Sequence, residues 1–474
     1  MPDRTPFSRT PLPPPVPTAP LEAPPGEAPA HVPLSDVVAA LSTALDLTEG
    51  QPLGHSARAC VIGMRLGREL GLDDDALGAL YYALLLKDAG CSSNAARMAA
   101  LFGADDQVAK PLLKQVDWDD RVALAHASWR AVGRTGGRGA PVWTRVRLML
   151  GLAREDNVTR DIIAARCERG ADIARRLGFP AATVAAIASL DEHWNGGGYP
   201  AGLAGEAIPL FARILNLAQT AEVFLAQGGS AAALEVLAAR RGRWFDPDLV
   251  DRVLAWREDR PWWGAVRTAD ADGRVAALEP QAHARVVDDD GLDQVAEAFA
   301  EVIDAKSPFT YAHSTSVARL AEGIAGRLGL DAAGRRLTRR AALLHDIGKV
   351  GVSNRILDKR GPLTPEERAV VQAHPRHTWE ILGRVRAFAA FARQAATHHE
   401  MLDGSGYPWG LDAAALDLPA RALVVADIYE ALTADRPYRA GMPVEAALAV
   451  LQRDRGTRLD AACVDALAQG VGAA

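Results

Sequence analysis

HDIGKVG, residues 345–351, follows the apolar run AALL of residues 341–344 and decides how the rest of the chain is read. Imidazole and carboxylate side by side bind borderline divalent metals, and a carboxylate has two oxygens with which to bridge two ions. The alternative is a plain helix end, with Gly348 terminating the helix and Lys349 facing the negative end of its dipole. The choice turns on whether other stretches supply more ligands.

Outward from this stretch the pattern is helical. Apolar residues recur at three- and four-residue intervals from Leu34 onward, strand signals are nearly absent, and the expected class is all-α. The 474 residues allow two to four domains. A net charge of −6 gives no basic field for a nucleic-acid polymer. No apolar run reaches the roughly 18 residues of a membrane span, so no membrane insertion is expected. The first residues show no charged-then-apolar signal pattern, and the four cysteines are scattered without a CxxC; a cytoplasmic location is expected. Residues 1–33 hold twelve of the 29 prolines and are expected to form an extended tail.

The chain repeats itself. HSARACVIGMRLGRELGL, residues 55–72, matches HSTSVARLAEGIAGRLGL, residues 313–330, and at the same offset KDAG, residues 87–90, lies against HDIG, residues 345–348. Further on, EHWNGGGYPAGL (192–203) matches EMLDGSGYPWGL (400–411). ARILNLAQTAEVF then matches ARALVVADIYEAL, and RGRWFDPDLVDRVLA matches RGTRLDAACVDALA. Five blocks in one order mark a duplication. The first copy is expected over residues 34–264, a polar linker over 265–290, and the second copy over 291–474.

Six of the eleven histidines lie in the second copy: His313, His345, His374, His377, His398 and His399. Asp427 sits inside an apolar helix. Each alone is readily a cap or a satisfied core residue. Together they are costly to bury unless paired or metal-bound, and two metals sharing Asp346 would account for the set.

HDIGK, the HHExxDGxGYP block and DRPYR (residues 435–439) together resemble the HD-GYP family of metal-dependent phosphodiesterases, a branch of the HD superfamily. The likeness is close over residues 290–474 and weak over 36–260. It implies an all-helical pair of tandem HD-type domains, the first degenerate, and hydrolysis of a cyclic dinucleotide, chiefly cyclic di-GMP, to the linear dinucleotide or GMP. It implies that His313, His345 and Asp427 hold one metal, that His374, His398 and His399 hold a second, and that Asp346 bridges them. Phe309 stands where some members add a third-metal ligand, so two ions are expected. Oxygen and nitrogen donors without thiolate suit iron or manganese. Asp346 and Lys349 are the expected catalytic residues. Lys349, Gly406, Tyr407, Pro408, Arg436 and Arg439 are the expected substrate contacts.

The chain departs from the family pattern at Ser353-Asn354-Arg355, where IPDx is usual, at Thr378 in place of a glycine, and at Ala413 and Asp417. In the first copy Lys87 replaces the motif histidine, and Arg166, Leu190, Asp191 and Gln219 stand where His374, His398, His399 and Asp427 stand in the second. There Lys87 and Arg166 are expected to replace the lost metal charge by pairing with Asp88 and Asp191. A homodimer and a regulatory protein partner are both compatible with the degenerate copy. The rival readings are another metal-dependent nucleotide phosphohydrolase and a nucleotide-binding signalling module of low turnover.

Overall fold

The computed structural model describes residues 32–95, 106–117, 120, 125–130, 143, 146, 158–268, 275–281, 284–307, 312–359, 361–435 and 440–472. The tail expected over residues 1–31 lies outside them. Val32–Pro33 (β1) opens the described chain and is followed by Leu34–Thr48 (α1), His55–Glu69 (α2), Asp74–Leu86 (α3), Asp106–Gln115 (α4), Val158–Arg176 (α5), Ala181–Ala188 (α6), Leu210–Ala239 (α7), Pro247–Leu254 (α8) and Arg260–Thr268 (α9). After Val286–Val287 (β2) come Asp289–Asp304 (α10), His313–Arg327 (α11), Ala332–Leu344 (α12), Asn354–Leu357 (α13), Pro365–Gln372 (α14), His374–Leu382 (α15), Ala389–Ala396 (α16), Leu418–Thr433 (α17), Val444–Asp454 (α18) and Ala461–Val471 (α19). The fold is all-α. No described helix is long and apolar enough to cross a membrane.

Each copy is built on one hairpin whose ends are written in the sequence. In the second, α11 stops at Gly329, whose φ of 85° suits glycine, and Asp331 caps α12 by accepting the Gly334 N–H. In the first, α2 stops at Gly71 (φ 74°), and Asp73 caps α3 from the Ala76 N–H. The inward faces of these hairpins carry Ile62, Leu66, Leu80 and Leu84 in one copy and Val317, Ile324, Leu343 and Leu344 in the other, all essentially inaccessible to water.

The copies are not beads on a string. β1 pairs antiparallel with β2, so Val32–Pro33 belongs to the fold rather than to the tail. The stretch expected to be a linker carries the end of α9, all of β2 and the buried Val275, and its Glu279 accepts the Tyr82 hydroxyl. Composition registered its charges but not the partners waiting for them. α1 of the first copy packs on the turn Ile347–Gly351 and on α15 of the second, while α10 of the second touches the turn Cys91–Asn94 of the first. Each copy's leading helix therefore touches the other's motif turn as well as its own.

Candidate metal centre

His345 ends α12 and Asp346 begins the tight turn after it. Gly348 within that turn is there for packing: a Cβ on it would lie 2.0 Å from the His374 carbonyl oxygen and 2.8 Å from the Thr378 nitrogen. Its absence lets the start of α15 press against the turn and bring His374 to Asp346. Thr378 laces the two together, accepting the Gly348 N–H at 3.1 Å and donating to the His345 carbonyl at 2.8 Å. The departure from glycine at 378 is thus a hydrogen-bonded replacement. His313 opens α11, His398 and His399 follow α16, and Asp427 lies within α17.

All seven expected ligands converge. Asp346 is buried and divides its oxygens between two groups. Oδ2 lies 3.6 Å from His313 Nε2 and 3.4 Å from His345 Nε2; Oδ1 lies 3.3 Å from His374 Nε2 and 3.6 Å from His398 Nε2. Asp427 Oδ1 is 3.4 Å from His313 Nε2 and 3.8 Å from His345 Nε2. His313, His345 and Asp427 offer one set of donor atoms within 4.8 Å of one another, and His374, His398 and His399 a second.

The donor chemistry fits cations. The Nδ1–H of His345, His374 and His398 donates to the carbonyls of Ala342, Val371 and Ala395 at 2.6, 2.7 and 2.7 Å. That fixes the tautomer and leaves Nε2 as a bare lone pair. The Nε2 atoms of His374 and His398 then face each other at 3.0 Å, and those of His313 and His345 at 3.4 Å. Two lone pairs aimed at one point repel unless a cation or proton lies between them. Asp346 Oδ1 is buried with no aligned donor.

The electrostatics agree. Burial pushes His345 down to about 3 and His374 to about 4, and carries His399 well below its ordinary value, so these rings are neutral. Burial would lower His313 too, but hydrogen bonds to Asp427 and Glu430 together with the Asp346 charge raise it to about 10. An environment that holds a proton so firmly also attracts a metal cation. Burial would raise both Asp346 and Asp427; the Lys349 ammonium beside Asp346 helps hold it well below the carboxylate range, and the protonated His313 does the same for Asp427.

Around this centre Lys349, partly open to water, donates to Asp346 Oδ2 at 2.6 Å. Tyr407 stacks on His399 with ring centroids 4.7 Å apart. Gly406 fits because a Cβ would meet Glu400 Cα at 2.4 Å, so its close approach is to its own loop. The Pro408 carbonyl accepts from Arg376, whose guanidinium lies over Trp409. Arg436, Arg439 and Phe309 lie outside the described residues. Sequence reasoning missed Glu430, whose carboxylate accepts His313 Nδ1–H, and Glu400, which accepts the Trp409 and Leu411 N–H groups at 2.8 and 2.9 Å and so shapes the GYP loop. The repeat held the signal for both: Glu222 sits against His55, and Glu192 accepts the Ala201, Gly202 and Leu203 amides.

The equivalent place in the first copy is filled by side-chain cations. Lys87 donates to Asp88, and Arg166 Nη2 lies 2.6 Å from Asp191. Gly90 plays the part of Gly348, since a Cβ there would meet the Arg166 carbonyl at 1.9 Å. Two further residues were not anticipated: Lys114, on α4, reaches Glu49 at 2.7 Å and Asp88 at 3.6 Å. Glu49, Asp88 and Cys91 could themselves group around a metal, but Lys114 already contacts both acids, and burial raises the Cys91 thiol well above its ordinary value.

A helical scaffold carrying a His/Asp cluster around a shared carboxylate defines an HD-domain phosphohydrolase, and the HD domain family model matches residues 151–249 and 297–463, one stretch in each copy. The chain belongs to the HD-GYP family of metal-dependent cyclic dinucleotide phosphodiesterases. It is 45% identical over 438 residues to 3′3′-cGAMP-specific phosphodiesterase 3 of Vibrio cholerae, spanning 92% of this chain and 94% of that protein. It is 40% identical over 173 residues, 36% of this chain and 46% of that protein, to a cyclic di-GMP phosphodiesterase response regulator of Xanthomonas campestris. A crystal structure of a cyclic GMP-AMP specific phosphodiesterase of V. cholerae covers 93% of this chain and 98% of its own, at 38% identity and a TM-score of 0.64.

Proposed function

We propose that the second copy hydrolyses 3′3′-cGAMP in preference to cyclic di-GMP, at a centre of two divalent ions. The observation that carries the substrate is the 45% identity with the V. cholerae cGAMP-specific enzyme across both copies, whereas the cyclic di-GMP enzyme of Xanthomonas matches about a third of the chain. The sequence alone pointed to cyclic di-GMP; likeness along the whole chain outweighs likeness confined to one part.

His313, His345 and Asp427 would hold one ion, His374, His398 and His399 the other, and Asp346 both; the nitrogen and oxygen donors suit iron or manganese. Bound, such ions supply a hydroxide nucleophile at neutral pH and neutralise charge on the phosphoryl oxygens. Hydrolysis adds one water across one P–O3′ bond and leaves a linear dinucleotide with a 5′-phosphate and a 3′-hydroxyl. Lys349 reaches from Asp346 to a phosphate oxygen and steadies the departing 3′-oxygen. Burial raises the Tyr407 phenol, so it stays neutral and presents its ring and hydroxyl to a base. Gly406 and Pro408 shape the loop beneath it, and the guanidinium groups of Arg436 and Arg439, offered by the family resemblance, are suited to a phosphate.

The test is turnover of 3′3′-cGAMP, cyclic di-GMP and cyclic di-AMP by protein prepared under reducing conditions with Fe(II) or Mn(II). The highest kcat/KM is expected for 3′3′-cGAMP. A higher value for cyclic di-GMP overturns the substrate, and undiminished turnover by Asp346→Ala overturns the centre.

A further inference from the structure

α4 belongs to the stretch that the first copy carries beyond the length of the second, and it is anchored at both ends. Toward its C-terminus, Lys110 donates to the Thr48 and Cys91 carbonyls at 3.1 and 2.9 Å and lies 3.2 Å from Glu49, while Lys114 joins Glu49 and Asp88. These contacts fasten the helix to the first copy's vacated centre. Its opening residue, Asp106, is fully buried and points the other way, into the second copy. There Oδ1 accepts the Asn354 N–H at 3.0 Å and Oδ2 faces Lys306 Nζ at 3.4 Å.

Those two partners flank the machinery. Lys306 lies seven residues before His313, and Asn354 lies five after Lys349 and eight after Asp346. They are tied to each other as well: Asn354 Nδ2 donates to the Lys306 carbonyl at 2.6 Å and to Asp358 Oδ2 at 2.8 Å, and Ser307 Oγ donates to Asp358 Oδ1 at 2.6 Å. Lys306 is 2% exposed and Asn354 is inaccessible, so the carboxylate from α4 is part of a dry knot. A buried ammonium beside a buried carboxylate is held in one place far more firmly than an exposed pair. Position 354, where the second copy departs from the family's aspartate, is where the first copy delivers a carboxylate of its own.

We infer that Asp106 is a positioning residue for the phosphodiesterase centre of the second copy, supplied by the first copy through α4. The inference rests on the reading of the second copy as the working enzyme. α4 fixes the knot from which the chain departs toward His313 and through which it leaves Lys349. Displacing reacting groups by about 1 Å costs on the order of 100-fold in rate. The vacated centre thereby keeps a role, because its ion pairs are the footing of a strut whose other end aligns the working centre.

The experiment compares the full chain with Asp106→Asn and Asp106→Ala, reading kcat and KM on 3′3′-cGAMP and on bis(p-nitrophenyl) phosphate, metal per chain, thermal unfolding and hydrogen exchange of residues 352–359. The expected result is a kcat lower by about 10- to 100-fold on both substrates, KM and bound metal within twofold of wild type, and faster exchange at residues 352–359. Asp106→Glu should recover part of the loss. Wild-type kcat in Asp106→Ala overturns the inference, as does a loss of rate that only tracks lost metal or lost folded protein. If the wild type cleaves bis(p-nitrophenyl) phosphate but no cyclic dinucleotide, the substrate reading fails while the Asp106 comparison still reads on the synthetic diester.

Discussion

Asp88→Asn is the sharpest probe of the first copy, because it removes one charge and almost no volume. Asp88 is inaccessible to water and meets Lys87 in a hydrogen bond, Lys114 Nζ at 3.6 Å and His55 Nε2 at 3.9 Å. At an effective dielectric of about 20, unit charges at the 3.6 Å of Lys114 attract by roughly 4.6 kcal/mol. Part of this only repays the burial of the carboxylate, and removing one member of a buried cluster typically costs about 3–5 kcal/mol. At about 2–4 °C per kcal/mol for a domain of this size, the first copy should melt roughly 10 °C lower. The assay is scanning calorimetry beside metal analysis, with metal per chain expected to stay at the wild-type value. The pH dependence has a definite sign. Burial would raise Asp88, but Lys114, Lys87, His55 and Arg166 hold it well below its ordinary value of 3.8. Its stabilisation is complete at neutral pH and drains away as pH falls through 3.8 toward the folded value, so the gap between wild type and variant should close on acidification. A melting point within about 1 °C of wild type, or loss of a metal equivalent in the variant, would refute the ion-pair account.

Glu430→Gln should weaken metal binding by about 10- to 100-fold, since it removes the carboxylate that orients His313; unchanged affinity in a chelator competition would contradict that role. Gly348→Ala places a methyl 2.0 Å from the His374 carbonyl and should abolish turnover while costing about 1–3 kcal/mol or more of stability, so a fully active variant would count against the packing argument. Glu400→Ala leaves the Trp409 and Leu411 amides without their acceptor and should raise KM more than it lowers kcat if the GYP loop meets the substrate; equal KM values would detach the loop from binding. A chain cut to residues 291–474 loses α1 and Asp106 from the back of its motif turn and should aggregate or lose at least about tenfold in kcat, read by size-exclusion chromatography and turnover.

The helical class, the duplication and the seven converging His and Asp side chains were legible because each is encoded locally. Periodicity marks helices, and a His or Asp stranded on an apolar face is visible without knowing what it meets. The repeat showed which of them the first copy had lost. Lys114 and Asp106 were not legible, because they lie where the second copy has no counterpart and the repeat offers nothing to compare. Glu49 matters only because α1, α4 and the Cys91–Asn94 turn meet, which is a fact of tertiary packing. Glu430 is one polar residue among several on α17, and in the sequence only the repeat, which sets it opposite Glu222, separates it from a surface acid. Residues 265–290 looked like a linker since charge density says nothing of Tyr82, which takes up Glu279.

The packing of α1 against the second copy's motif turn has a consequence for how the enzyme behaves when scarce. Two separate subunits that leaned on each other's motif turns would drift apart on dilution and lose their alignment with falling concentration. Here α1 and the Ile347–Gly351 turn are joined by one polypeptide, so their encounter is intramolecular and its strength is set by the connecting chain rather than by copy number. Fusion also releases the halves from identity: a substitution in a symmetric pair falls on both sites, whereas here one half can carry lysine and arginine where the other presents histidine and aspartate. Each molecule carries its own support in fixed one-to-one proportion. Turnover per molecule, measured across a dilution series, should therefore stay flat, and a fall on dilution would contradict the intramolecular support.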